Sequence, residues 1–253
     1  MLDNATITNL HSLKLLGFAE GLQEQRGQPG LLTMSFEERL ALLVDRELNT
    51  RGDRKRARLL QRARLKFPGA CVEDADFADI RGLDRKTFTG LALSGWIERG
   101  DAILFGGATG VGKTWLACAL GQYACRRGHS ALYIRLPRLA EELRVLHASG
   151  TFRKWLAELA RTDVLILDDW GTGSIDATTR ADLLEVIDDR ANHRATILTH
   201  QLPVDHWHGW IGDATTADAI LDRLMQRVHR FNLEGPSRRA KRTAKPAKLG
   251  AQG

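Results

Sequence analysis

The stretch Gly107-Ala108-Thr109-Gly110-Val111-Gly112-Lys113-Thr114 decides the fold class of this chain. It matches the phosphate-binding pattern G-x-x-x-x-G-K-[ST] at every fixed position. The apolar run Ala102–Phe105 precedes it, and a segment rich in Ala and Leu follows it, so we expect a strand, a glycine-rich loop and a helix in that order. Glycines let backbone N–H groups turn toward a phosphate, and the helix adds the positive end of its dipole. The stretch therefore predicts a phosphate-binding loop within an α/β domain.

The side chains of this loop predict ATP and Mg²⁺ as cofactors. Lys113 is expected to neutralise charge on the β- and γ-phosphates and to count among the catalytic residues, and the Thr114 hydroxyl is expected to ligate Mg²⁺. The predicted nucleotide contacts are Gly107, Ala108, Thr109, Gly110, Val111, Gly112, Lys113, Thr114 and Trp115.

A pair of acids, Asp168 and Asp169, follows the apolar run Val164–Leu167. Asp168 lies 55 residues beyond Lys113. We expect Asp168 to hold Mg²⁺, directly or through water, and Asp169 to orient or deprotonate the attacking water. The alternative is that the two acids only cap a loop after a core strand.

Strand and helix patterns alternate from about residue 100 onward. This alternation predicts a parallel sheet with helices on both faces, which is an α/β fold with a three-layer core. The predicted strands are Ala102–Phe105, Ala131–Ile134, Val164–Leu167 and Thr196–Leu198, with Arg230–Leu233 as a candidate fifth. The predicted helices lie near 114–126, 138–147, 152–161, 178–191 and 215–228.

The N-terminal segment has a helical pattern instead, with a first helix carrying Leu10, Leu13, Leu16 and Leu22. Ser35 and Glu38 form a capping-box pattern that opens a second helix. Its predicted apolar stripe is Leu40, Leu43, Val44 and Leu48. A third helix is predicted from Asp53 to Leu65. The chain is thus predicted to have a small all-helical domain at 1–66, an ATPase domain at 67–234 and a basic, disordered tail at 235–253.

The overall composition is that of a globular protein, with 43% hydrophobic and 27% charged residues. No apolar run approaches the ~18 residues that a membrane span needs, and the N-terminus has no apolar signal core, so we expect a cytoplasmic protein without a membrane partner. The three cysteines, Cys71, Cys118 and Cys125, have no metal-ligand spacing and are expected to be small buried hydrophobes.

Positive charge is concentrated in two places, although the net charge is only +6. Residues 235–253 hold six basic side chains and no acid, and residues 51–66 hold eight basic side chains against Asp53 alone. A row of cations at helical spacing meets phosphates without reading bases, so a polyanionic partner such as a nucleic acid is predicted. The alternative is a solvated helix face. The candidate DNA-binding residues are Arg51, Arg54, Lys55, Arg56, Arg58, Arg62 and Arg64, with Lys66 at the end of the run.

Three further motifs closely resemble the IstB-like transposition helper ATPases of insertion sequences, which are AAA+ proteins related to helicase loaders and initiators. They are Asp168-Asp169-Trp170-Gly171, Thr199-His200-Gln201-Leu202-Pro203-Val204-Asp205-His206-Trp207-His208 and Ala217-Asp218-Ala219-Ile220-Leu221-Asp222-Arg223-Leu224. The resemblance extends upstream through Arg58–Pro68, Arg81-Gly82-Leu83-Asp84-Arg85 and the phosphate loop, and it covers about residues 8–242. It implies an ATP-dependent homo-oligomer that binds duplex target DNA and presents it to a partner transposase.

The resemblance also implies roles for individual residues. Arg223 matches the arginine finger that completes a neighbouring subunit's site; the alternative is a surface arginine paired with Asp222 or Asp218. Thr199 and His200 occupy the place of the sensor of the γ-phosphate, where His200 departs from the expected serine or asparagine. A metal site at His206 and His208 is disfavoured, because two ligands without a carboxylate array do not suffice, and a packed Trp207 explains that segment better.

Three other functions remain as alternatives. A replicative helicase loader shares the ATPase core and differs only in its partner. A small-molecule P-loop kinase predicts a substrate lid with clustered arginines and gives no reason for the basic run at 51–66. A nucleotide-gated DNA-coating protein predicts negligible turnover.

Overall fold

The computed structural model describes residues 2–78, 81–91 and 95–238, and the chain divides into two compact units, 1–58 and 59–253. The predicted first boundary, after Lys66, lies eight residues beyond this division. Most of the predicted tail at 235–253 lies outside the described residues. Across the described ranges, no helix has the length and apolar character that crossing a membrane requires.

The N-terminal unit contains helix α1 (Leu2–Ser12), helix α2 (Leu16–Gly27), a 3₁₀ turn (Pro29–Thr33) and most of helix α3 (Phe36–Ala63). The predicted capping box opens α3. The Ser35 backbone N–H donates to the Glu38 carboxylate at 2.8 Å, and the Glu38 N–H donates to the Ser35 hydroxyl at 3.2 Å. Helices α2 and α3 approach closely where Gly17 faces Thr50, since a Cβ at Gly17 would lie 2.4 Å from the Thr50 hydroxyl.

The N-terminal segment forms three helices as predicted, but the breaks between them lie elsewhere. The predicted first helix is broken at Lys14, which has a left-handed φ of 58°. The predicted second and third helices are one, because α3 runs on through Gly52. A mid-helix glycine costs only about 1 kcal/mol. The ion pairs Arg51–Glu47 and Arg56–Asp53, spaced four and three residues apart, support the continuous helix.

The predicted apolar stripe of α3 is wrong for three of its four members. Leu43 is buried, but Leu40, Val44 and Leu48 are exposed by 38%, 44% and 62%.

The second unit is built on a five-stranded parallel sheet. Its strands are β1 (Ala102–Gly107), β2 (Ala131–Arg135), β3 (Val164–Trp170), β4 (Ala195–His200) and β5 (Val228–Leu233). Their order across the sheet is β2-β3-β4-β1-β5, and every neighbouring pair is parallel. All five predicted strands are therefore present, including the candidate fifth.

Beyond the end of α3, the described residues of this unit form seven α-helices, of which the five longest match the five predicted helices. The seven are α4 (Arg85–Leu91), α5 (Lys113–Arg126), α6 (Leu136–Ala148), α7 (Phe152–Arg161), α8 (Ala177–Arg190), α9 (Trp207–Ile211) and α10 (Ala214–Met225). Helix α10 ends three residues before the predicted end at 228, because β5 begins there.

Two apolar cores lie on opposite faces of the sheet. Ile103 and Phe105 of β1 pack with α4 and α5 in one core, whereas Leu104 between them packs with α6 to α10 in the other. This alternation is the two-residue period of a strand that is buried on both faces. The three-layer α/β fold is confirmed. Cys118 and Cys125 are buried as predicted, and Cys71 is only half-buried.

Candidate nucleotide site

The candidate site lies where three parallel strands end at the same edge of the sheet. The phosphate loop follows β1, Asp168 and Asp169 stand near the end of β3, and Thr199 and His200 end β4. Because β4 lies between β1 and β3, its end joins the loop to the acid pair. Ligands in open parallel sheets bind at this edge.

The phosphate loop holds its own lysine. The Lys113 ammonium donates to the carbonyls of Gly107 and Ala108 at 2.7 and 2.8 Å. Gly107 has a φ of 134°, and a Cβ there would lie 2.2 Å from the Leu233 carbonyl, so only glycine fits against β5. Trp115, a predicted nucleotide contact, is partly buried and packs against the core that contains α5.

Asp168 is fully buried, and three hydroxyl groups donate to its carboxylate. Thr114 and Thr199 donate to Oδ1 at 2.7 and 2.6 Å, and Tyr133 donates to Oδ2 at 2.7 Å. The Lys66 ammonium lies 3.8 Å from Oδ2, so this last residue of the basic run stands beside the acid pair. Burial, and then the bond to Asp168, raises the pKa of Tyr133, so Tyr133 stays a hydrogen-bond donor.

Asp169 occupies a β-bulge. Leu167 pairs with Leu198 and Trp170 pairs with His200, so two residues of β3 stand opposite Thr199 alone. Asp169 has a left-handed φ of 63°, a conformation that few residues other than glycine, asparagine and aspartate adopt. The Asp169 N–H donates to the Thr199 hydroxyl at 3.1 Å. One threonine side chain thus contacts both acids across the bulge.

Arg135 contacts the Asp169 side chain. Its Nε donates to Asp169 Oδ2 at 2.6 Å, and this bond, followed by the charge of Asp169, raises the pKa of Arg135. Arg135 ends β2 opposite Asp168 in the β2–β3 register.

The two predicted Mg²⁺ ligands are adjacent, because Thr114 Oγ1 and Asp168 Oδ1 are 2.7 Å apart. Neighbouring ligands on an Mg²⁺ octahedron with bonds of about 2.0–2.1 Å are about 2.9 Å apart. Both groups are oxygen donors of the kind that Mg²⁺ prefers, so the residues present fit this ion. Within the described ranges, no cluster of three or more His, Cys, Asp or Glu side chains offers another metal site.

The two sensor candidates have different surroundings. Thr199 lies in the Asp168 cluster, whereas the His200 Nδ1 lies 2.9 Å from the Leu202 carbonyl. The His200 ring meets the Trp207 ring edge-on at 5.0 Å, and Trp207 is fully buried as predicted. Burial lowers the pKa of His200, which favours a neutral imidazole that donates from Nδ1 and leaves Nε2 as an acceptor.

Arg223 contacts α8 and its own helix. Its Nε forms an ion pair with Asp188 of α8, and its Nη1 donates to the Ala219 carbonyl at 3.0 Å. The pairing partner is therefore neither Asp222 nor Asp218. Within the described residues, Asp222 accepts from Gln226, and Asp218 lies 3.4 Å from His208.

The basic run on α3 divides into paired and unpaired cations. Arg51 is bonded to Glu47 at 2.6 Å, and Arg56 is paired with Asp53. The remaining candidates are exposed and form no ion pair with any described residue: Arg54, Lys55, Arg58, Arg62 and Arg64.

The sequence analysis gave no site role to three residues that the structure places at the site: Tyr133, Arg135 and Gln201. Gln201 accepts from the Thr109 hydroxyl at 2.7 Å and so joins the phosphate loop to the end of β4. For Tyr133 and Arg135, the available signal was that two polar side chains lie two residues apart in the short strand β2 and so share one face. That signal becomes informative only once β2 is known to lie beside β3.

Comparison with known proteins shows the family to which the chain belongs. Residues 8–246 match the family described as IstB-like ATP binding protein. The ATP-binding protein of insertion sequence IS1162 from Pseudomonas fluorescens is 52% identical over 203 residues, which are 80% of this chain and 88% of the relative. The insertion sequence ATP-binding protein y4pL of Sinorhizobium fredii is 43% identical over 239 residues, 94% of this chain and 97% of the relative.

Among solved structures, the crystal structure of the DnaC helicase loader superposes with a TM-score of 0.52 at 20% identity, covering 65% of this chain and 97% of that one. That likeness concerns the fold. The chain belongs to the IstB-like ATP-binding protein family, and it is a P-loop ATPase with the AAA+ fold.

Proposed function

We propose that this ATPase assembles on duplex DNA in its ATP-bound state and presents the DNA to a partner transposase. ATP is bound by the phosphate loop, with Lys113 facing the β- and γ-phosphates. Thr114 and Asp168 hold Mg²⁺, and the 2.7 Å between their oxygens supports this assignment. When bound, Mg²⁺ would neutralise charge on the phosphates.

Asp169 orients or deprotonates the attacking water, and its exposure supports this role. The Asp169 side chain is 20% exposed, whereas that of Asp168 is fully buried. The left-handed backbone of the bulge separates the two carboxylates, so one carboxylate remains among hydroxyls and the other reaches solvent.

Arg223 acts on the γ-phosphate of a neighbouring subunit. In the single chain it is paired with Asp188, so the pair must open when a neighbour docks. This requirement couples hydrolysis to assembly, because one chain alone does not provide both the loop and the finger to one ATP.

The observation that carries DNA binding is the set of unpaired, exposed cations on α3. Lys55, Arg58 and Arg62 follow one another at helical spacing, and Arg54 adds a fourth charge beside them. Cations without acidic partners are free to release counterions from a phosphate backbone, so binding is expected to be independent of sequence and sensitive to salt.

Salt-dependent DNA binding tests this proposal. Replacing Lys55, Arg58 and Arg62 together with glutamine should reduce the slope of log K against log salt by up to about 2.7, at roughly 0.9 for each lost phosphate contact. The control is Arg56→Gln, whose guanidinium is already paired with Asp53. An unchanged slope in the triple variant would show that the run is only a solvated face.

The transposase is favoured as partner because the relatives carry insertion-sequence descriptions. A replicative helicase is the competing partner. Pull-down of the ATP-bound full chain against a cognate transposase and a replicative helicase separates the two. Capture of the helicase alone would replace the transposition role by helicase loading.

A further inference from the structure

The motif Arg81-Gly82-Leu83-Asp84-Arg85 has no role in the site described above, yet its first residue touches the phosphate loop. Arg81 is 3% exposed, and its Nη2 donates to the Val111 carbonyl at 3.1 Å. Its Nη1 donates to the Asp76 carbonyl at 2.7 Å. A buried arginine thus joins the phosphate loop to the segment that precedes α4.

The segment after β5 also contacts the phosphate loop. The Arg238 backbone N–H donates to the Gly110 carbonyl at 2.9 Å, and the Arg238 side chain is paired with the Asp76 carboxylate. A Cβ at Gly110 would lie 3.2 Å from the Ser237 Cα, so the two backbones lie in close contact. The Glu234 N–H also donates to the Arg81 carbonyl at 2.9 Å.

We propose that Asp76, Arg81 and Arg238, called the clasp below, are positioning residues that hold the phosphate loop in its nucleotide-binding conformation. The inference rests on the proposed binding of ATP at this loop. Arg81 and Arg238 hold the carbonyls of Val111 and Gly110, and the Asp76 residue joins the two arginines through its carbonyl and its carboxylate.

Peptide geometry explains how the clasp acts on the phosphates. In a planar trans peptide, the carbonyl of one residue and the N–H of the next point in opposite directions. The described peptide bonds of the chain include no cis bond. Holding the Gly110 and Val111 carbonyls on the clasp side therefore directs the N–H groups of Val111 and Gly112 to the other side, where a phosphate accepts them.

Two other members of the motif keep Arg81 in place. Gly82 has a φ of 65°, and a Cβ there would lie 2.5 Å from the Asn232 carbonyl, so the chain passes β5 only with glycine. The Asp84 carboxylate accepts from the Thr87 N–H at 2.7 Å and caps the start of α4. The motif thus fixes the position of one buried guanidinium.

Dissociation of a fluorescent ATP analogue from the full chain, followed by stopped flow with Mg²⁺, tests the clasp. Asp76→Asn and Arg238→Gln each remove the ion pair but keep the backbone contacts, and each should speed dissociation about threefold to fivefold. The double variant should be no faster than either single variant, because both remove the same pair. Arg81→Lys retains the charge but loses the guanidinium that donates to two carbonyls at once, so dissociation should be about tenfold faster or more.

The KM for ATP should rise in these variants while kcat at saturating ATP stays within about twofold, as expected for a lost binding contribution. Arg227→Gln is the matched control, because this exposed arginine precedes β5 at the end of the strand opposite to the loop. A wild-type dissociation rate in both single variants would overturn the clasp. A double variant whose fold increase in rate equals the product of the two single increases would also overturn it. If Arg81→Lys does not fold, the variants at the half-buried Asp76 and Arg238 still test the clasp. Undiminished ATP binding by Lys113→Ala would refute the proposed ATP site itself.

Discussion

Replacing Thr199 with valine should destabilise the second unit and slow ATP hydrolysis, because this hydroxyl contacts both acids of the bulge. It donates to Asp168 Oδ1 at 2.6 Å and accepts from the Asp169 N–H at 3.1 Å, in a position that is fully buried. Valine has nearly the same shape, so the change removes the two hydrogen bonds and little packing.

The expected loss of stability comes from these two bonds. A hydrogen bond to a charged group is worth about 1.5–3 kcal/mol, and a buried N–H left without a partner costs about 1–3 kcal/mol. Since small shifts let the Asp169 N–H find another partner part of the time, we expect the free energy of unfolding to fall by about 3 kcal/mol. With a urea m value of about 3 kcal/mol/M, the unfolding midpoint should fall by about 1 M.

Urea unfolding and steady-state ATP hydrolysis measure the two effects. Hydrolysis should fall about 10- to 100-fold, because the bulge no longer holds the Asp169 carboxylate in position. Thr199→Ser keeps the hydroxyl and loses one methyl group, so it should cost about 1 kcal/mol and retain most of the turnover. Wild-type stability and turnover in the valine variant, or equal damage in the serine variant, would refute the role given to the hydroxyl.

Three changes in the proposed machinery should have separable effects. Lys113→Ala should abolish ATP binding in calorimetry, and retained affinity would remove the lysine from the site. Asp169→Asn should bind ATP normally, hydrolyse it slowly and remain on DNA. A normal rate of phosphate release would show that Asp169 only caps the loop after β3. Arg223→Ala should bind ATP but hydrolyse it about 10³–10⁵-fold more slowly. Mixing it with Lys113→Ala should restore part of the activity, and co-assembled mixtures that stay inactive would exclude a finger acting between subunits.

Local patterns predicted the sheet and the phosphate loop well. Each strand is a short apolar run bounded by helix signals, and the loop has a fixed spacing that does not depend on the rest of the chain. The continuity of α3 was harder to predict, since Gly52 favours a break while neighbouring ion pairs favour a continuous helix. The exposure of Leu48 shows that a helical apolar pattern does not by itself determine burial.

Contacts between distant segments were not predictable from local pattern. Tyr133 and Arg135 reach the acid pair because β2 lies beside β3, an order that depends on the crossover through α5. The clasp likewise joins Asp76 to Arg238 across 162 residues. Sequence spacing predicts which residues follow a strand, whereas register and crossover decide which of them meet.

The mass of the full chain in solution, measured with duplex DNA in the presence of ATP and separately of ADP, tests the central proposal most directly. With ATP and duplex DNA, the account predicts a particle of several protomers that contains DNA, and with ADP it predicts smaller species. Lys113→Ala should not form the large particle in either nucleotide. A chain that keeps one mass in both nucleotides, with DNA present and absent, would contradict ATP-dependent assembly on DNA.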